Sequence, residues 1–201
     1  MKTTIFTTSL LATLSAATPL KRQSGCIVQT VMNPNSNQAK ASIQQWNNDV
    51  KNVNAFLNAV PNLINDEDAL LSEARMALTN AMDEPCQLMT LASQSAFIQA
   101  PVPAFDCAVE DLMDVFEVHV LQNLMAVIAD PGNAEVAQAS VDDINAFRCC
   151  NVLPDVDILF INSAESEGIA NQVPLSVGRE DACADIQCTK KCKAKQGANG
   201  T

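Results

Sequence analysis

The sequence predicts an all-α protein: a single disulfide-stapled bundle of about five to seven helices. Three observations carry this. Beyond the first twenty-odd residues proline stands only at 34, 61, 85, 101, 103, 131, 154 and 174, and the stretches between are rich in Ala, Leu and Val. Proline is accepted in the first helical turn and disfavoured in the interior, so this spacing reads as helix boundaries. Apolar residues recur at helical intervals. Eight cysteines, an even number, supply up to four cross-links.

The first element is the clearest. Ala39, Ile43, Trp46, Val50, Val53, Leu57 and Val60 alternate spacings of four and three, which places them on one helical stripe. Ser36 is the expected N-cap. A second helix is expected to open at Asn65 as cap, with Asp66, Glu67 and Asp68 where the helix dipole favours carboxylates. Leu70, Leu71, Ala74, Ala77, Leu78 and Ala81 form its apolar face, and Pro85 is expected to stop it. A shorter helix then runs from about Cys86 to Phe97.

The stretch from Asp106 to Ala129 begins amphipathic, with Glu110, Asp114 and Glu117 on one face. Its second half, Val118 to Ala129, is apolar nearly all round, the pattern of a helix in the middle of a bundle. Asp130-Pro131-Gly132 is a turn. Asn133 caps a helix with Val136, Ala137, Val141, Ile144 and Phe147 inward. Leu153 to Asn171 reads as a sixth helix, although Val156 to Ile161 also suits a strand. A short basic helix from about Glu180 to Lys193 carries the last three cysteines.

The N-terminus has the layout of a secretory leader. Lys2 is followed by a short apolar stretch, Ile5 to Ala17, ending in small residues. Residues 1–17 are therefore expected to be a signal peptide and 18–22, ending at Lys21-Arg22, a brief pro-segment. Residues 23–194 form the helical-bundle domain and 195–201 a disordered tail. No transmembrane segment is expected, since the leader is too short and hydroxylated to span a bilayer. The product is expected to be secreted and extracellular, where disulfides persist. All of Cys26, Cys86, Cys107, Cys149, Cys150, Cys183, Cys188 and Cys192 are expected in disulfides. If neighbouring helices are antiparallel, Cys107 pairs with Cys149 or Cys150, and Cys26 with Cys86 or Cys183. Cys149 and Cys150 point about 100° apart on a helix and so staple different partners.

Charge and composition exclude several functions. A net charge of −11 repels a phosphate backbone, so no nucleic-acid partner is expected. The six glycines are scattered singly, which excludes a P-loop or dinucleotide fingerprint. The cysteine spacing contains no CxxC, so no metal and no cofactor are expected. His119 is the single histidine, and no GxSxG motif accompanies it. It reads as a neutral, buried core histidine. The numerous carboxylates read as solvated acidic faces. The lysines at 190, 191, 193 and 195 suit either a basic handle or a frayed tail.

Met32, Met76, Met82, Met89, Met113 and Met125 belong to a deformable apolar interior of the kind that opens into a hydrophobic pocket. Trp46, Met113, Phe116, His119 and Met125 are the expected lining residues. The leading expectation is a secreted, non-enzymatic binding protein that holds a lipid or other apolar small molecule, or coats a hydrophobic surface. The alternative is an effector-like interaction module whose acidic surface meets a host or cell-wall partner.

The whole layout (leader, Lys21-Arg22, acidic chain, eight cysteines) resembles the small secreted cysteine-rich proteins of filamentous fungi. Hydrophobins carry two Cys-Cys doublets, whereas only Cys149-Cys150 is a doublet here. Secreted phospholipases A2 carry a His-Asp pair, whereas Val120 follows His119. The stretches Ala39 to Val60 and Leu63 to Met82 are similar in helical pattern to fungal hydrophobic-surface-binding and cell-wall mannoproteins. That resemblance implies a secreted helical bundle, some of whose relatives hold fatty acids. It implies no catalytic residue.

Overall fold

In the computed structural model, residues 25–189 and residue 192 are described. The leader, pro-segment and tail expected at 1–17, 18–22 and 195–201, and the lysines at 190, 191, 193 and 195, lie outside them. The fold is all-α. Helix α1 (Ser36–Leu63) and helix α2 (Glu67–Ala92) form one long hairpin, and α3 (Ser95–Gln99) is a short connector. A second hairpin follows. Its first arm joins α4 (Pro103–Phe116) through a π turn (Glu117–Leu121) to α5 (Gln122–Ala129). Its second arm joins α6 (Ala134–Phe147) through another π turn (Arg148–Val152) to α7 (Leu153–Ser166). Four long rods thus pack side by side: α1 against α2, α5 against α6, α4 against α7, and α2 against α5.

The stripe read from α1 is the spine of the core. Ala39, Ile43, Trp46, Val50, Val53, Leu57 and Val60 are all buried. At about 25 cal/mol per Å² of apolar surface, each large member contributes roughly 1.5–3 kcal/mol. The caps lie one residue from the expected positions. Asn35, not Ser36, caps α1, in a reciprocal box with Gln38, while Ser36 donates to Glu167 across the fold at 2.8 Å. Asp66, not Asn65, caps α2, and Asn133 caps α6 as expected.

Proline marks fewer boundaries than its spacing suggests. Pro61 and Pro85 lie inside α1 and α2. Helix α2 does not stop at Pro85, because its buried stripe of Leu70, Ala74, Ala77 and Ala81 continues in register through Glu84, Leu88 and Leu91. The expected helix from Cys86 to Phe97 is therefore divided between the end of α2 and α3. Pro154 sits at the start of α7, but the preceding π turn carries the rod past it without a break. In that turn the Leu153 N–H bonds to the Arg148 carbonyl five residues back. The expected fifth and sixth helices are one continuous rod, and Val156 to Ile161 is helical.

Two further expectations are corrected. The stretch Val118 to Ala129 is not central: Val120, Leu124 and Val127 are buried, but Val118 and Met125 are about half exposed. The Pro103–Ala129 rod has the length and hydropathy of a membrane-crossing helix, although in this fold it packs against α2, α6 and α7. The basic helix expected at Glu180 to Lys193 is only a 3-10 turn, Asp181–Ala184. Instead, the chain after α7 turns at Gly168, whose φ of +67° favours glycine, and returns along α7 and α1 as a strap. Asp157 on α7 accepts from the Val177 N–H at 2.8 Å and from Arg179. Asn54 on α1 donates to the Gly178 carbonyl at 3.0 Å.

The strap explains the disulfides. All eight cysteines are paired: Cys26–Cys86, Cys107–Cys192, Cys149–Cys183 and Cys150–Cys188. Cys26–Cys86 is one of the two alternatives expected, and Cys149 and Cys150 do take different partners. The expected link from Cys107 to Cys149 or Cys150 is wrong. Cys149 and Cys150 lie in the π turn midway along the second arm, not at its end beside Cys107, and the chain after α7 contributes the partner to each of the three. Cys183 therefore lies against the middle of that arm, not beside Cys26. The Cys107–Cys192 link spans 85 residues and closes the largest loop. Replacing both with Ser is expected to cost about 4 kcal/mol by loop-closure entropy, read as a lowered urea midpoint. Non-reducing peptide mapping of the native protein checks the pairing.

Candidate functional site

A broad concavity opens on the flank of the bundle, where α2 stays close to α5 but draws away from α4. The divergence leaves a groove of about 710 Å³, open to solvent. Helix α2 supplies Met82, Pro85, Leu88 and Met89 to one wall. Leu112, Met113 and Phe116 of α4, Leu121 of the first π turn, and Met125 of α5 form the other. Gly25 closes one end, packed so tightly that a Cβ there would lie 2.7 Å from the Met82 methyl. Trp46 and Glu84 form the floor. Met89, Met113 and Met125 remain 44–61% exposed, so their flexible thioethers stand as a rim able to fold over a guest.

Four of the five expected lining residues, Trp46, Met113, Phe116 and Met125, therefore meet in one groove. His119 does not. It projects from the first π turn to the opposite side, where its Nδ1 lies 2.9 Å from Asp143 of α6 and its ring stacks on Phe147 at 3.3 Å. Asn123 donates to the same Asp143 oxygen at 2.7 Å. The side chain is about a quarter exposed, so it is not the buried core histidine expected from the helical wheel. The carboxylate orients the imidazole as in an acid–base dyad. Among the described residues, however, no hydroxyl or thiol is hydrogen-bonded to the ring.

Beneath the groove lies a buried polar layer that the sequence reading missed. Arg148 enters the core from the second π turn and is fully buried. Its guanidinium donates to Glu84 of α2 at 3.4 Å and to Asn54 of α1 at 2.8 Å, and its Nε lies 3.6 Å from Glu180 of the strap. The Trp46 indole N–H donates to the other Glu84 oxygen at 2.9 Å. Burial pushes the Glu84 carboxyl above its ordinary range, while Arg148 and the indole oppose the shift. One signal for this layer was present: Glu84 and Arg148 occupy apolar-stripe positions of their helices, in step with Ala81 and Leu88 and with Val141 and Ile144.

Two further carboxylates adjoin Glu84. Asp83 accepts from the backbone N–H groups of Ile27 and Val28 at 2.6 and 3.1 Å, and from Gln87 at 3.0 Å. This tethers the N-terminal segment to α2 beside the Cys26–Cys86 bridge. Asp49 faces Asp83 and Glu84 from α1, and desolvation followed by these two charges pushes its carboxyl up to about 8. Two acidic clusters with cysteine, Cys149-Glu180-Cys183 and Asp111-Asp155-Cys192, have the spacing of metal sites. Their sulfurs are bound in disulfides and offer no thiolate.

Two expectations follow. Arg148→Leu strands Glu84 and Glu180 without their cation and should cost about 3–5 kcal/mol in urea unfolding. Adding Glu84→Gln and Glu180→Gln to that variant should recover most of the loss. For Asp49 the folded carboxyl is raised above its unfolded value near 3.8. Its favourable contribution is complete below that value and disappears as pH rises toward about 8. Asp49→Asn, which mimics the protonated form, should therefore leave stability near pH 4 little changed and raise it at pH 8, as measured by thermal melts at both.

Compared with protein-family models, with curated proteins and with solved structures, the chain matches none.

Proposed function

We propose that this protein is a secreted, non-catalytic binding protein that takes up an apolar molecule in the groove between α2 and α4. The observation that carries the reading is the groove itself, with four methionines, three leucines and two aromatic rings converging on one opening. Its volume lies in the range of small-molecule sites. Exposed methionine thioethers and an aromatic floor offer polarizable, adaptable contact without a fixed shape, which suits a hydrophobe more than a reacting polar substrate. The walls are braced independently of any guest, because Trp46 is held by Glu84 and packs edge-on against Phe160 at 5.7 Å.

The extracellular setting is supported by the leader-like N-terminus and the four disulfides, which are typical of oxidising compartments. His119 and Asp143 do not alter the reading, since they lie away from the groove.

The protein carries a built-in reporter. Trp46 is the only tryptophan, and the chain has no tyrosine, so ultraviolet emission comes from the groove floor. A chain-brominated long-chain alcohol should quench that emission saturably, with a micromolar-range midpoint. The double variant Met113→Gln, Met125→Gln changes half-exposed side chains and should fold normally, yet weaken binding at least tenfold. Quenching that fails to saturate, or survives in the double variant, would sink the groove as the binding site.

A further inference from the structure

We infer that the groove is built for an amphiphile whose head group is cationic, an alkyl or polycyclic amine, rather than for a fatty acid. The inference rests on the groove being a ligand site and names the class of ligand. Among the described residues the groove is lined by two ionisable side chains, and both are carboxylates: Glu84 and Glu117. Glu84 is committed inward, with one oxygen on the Trp46 indole and the other on Arg148. Glu117 is exposed at the rim, where the first π turn begins. Glu110 and Asp114 precede it at spacings of four and three on the α4 surface, and both are exposed. An acidic stripe thus leads up to the groove mouth.

No lysine, arginine or histidine contributes to the described lining. Arg148 is sealed beneath the floor, and His119 turns away to Asp143. The bound carboxylate of a fatty acid would lose water, find no cation, and sit beside Glu117 in the field of a chain of net charge −11. An ammonium head meets the opposite situation. Glu117 is positioned as its counter-ion, and the Phe116 ring is a surface that cations favour. The apolar wall sets how strongly a chain is held, and the charge at the mouth sets which chain is admitted.

The test uses three probes of equal chain length at pH 7, dodecylamine, 1-dodecanol and dodecanoate, each titrated below micelle formation against Trp46 emission. The amine is expected to bind about tenfold more tightly than the acid, with the alcohol between them. Added salt should narrow the spread. Glu117→Gln should weaken the amine a few-fold and leave the alcohol unchanged. Dodecanoate binding as tightly as dodecylamine would overturn the head-group assignment while leaving the groove intact. Amine binding that is unaltered in the Met113→Gln, Met125→Gln variant would show general adsorption to an acidic protein and would also overturn it. Silence from all three probes would remove the groove reading itself.

Discussion

The architecture turns on one buried cation. Arg148 is inaccessible to water, and its guanidinium reaches α1 through Asn54, α2 through Glu84 and the C-terminal strap through Glu180. An ion pair in such a place is weak evidence for stability, because both partners lose water and only close geometry restores what is lost. Its stronger consequence is positional. Three segments distant in sequence must be in register before the charge is neutralised, and any slip leaves a charge in the core. The π turn that carries Arg148 belongs to the same constraint. One extra residue in the helical repeat lets Arg148 and Cys149 both face inward while Cys150 leaves the core to meet Cys188.

The groove is a consequence of the same layer. An apolar gap between helices normally closes, since empty apolar space forfeits contact energy. Here the floor is an indole held by Glu84, itself held by Arg148, so it does not sink to fill the gap. Helix α4 leans toward α7, and α2 is drawn to α5 and to the N-terminal segment tied on by Cys26–Cys86 and Asp83. The separation of α2 from α4 thus has named anchors on each side. Methionines, flexible and tolerant of partial exposure, occupy the rim where branched side chains would demand tighter packing.

Asp49, Asp83 and Glu84 place three carboxyl groups close together with one guanidinium below them. The protein tolerates this by keeping Asp49 protonated well above the ordinary carboxylate range. It also satisfies Asp83 with three N–H donors. This layer couples the stability of the bundle to pH from within, independently of the solvated carboxylates that give the chain its acidic character.

The sequence alone was sufficient for the all-α class, the seven-residue stripe of α1, the Asn133 cap and the engagement of all eight cysteines in disulfides, though not for their partners. Each depends on local periodicity or on residue chemistry that survives whatever the rest of the chain does. It was misleading at Pro61, Pro85 and Pro154, where packing of a continuous apolar stripe outweighs the local cost of a missing N–H. The burial of Arg148, the Cys107–Cys192 bridge and the placement of His119 were decided only by the tertiary structure. They depend on where the strap runs and where two π turns shift the helical register, and neither leaves a periodic trace. Glu84 and Arg148 stand at apolar positions of their stripes, but a charge there acquires its meaning only when the opposite charge is seen to arrive from another helix.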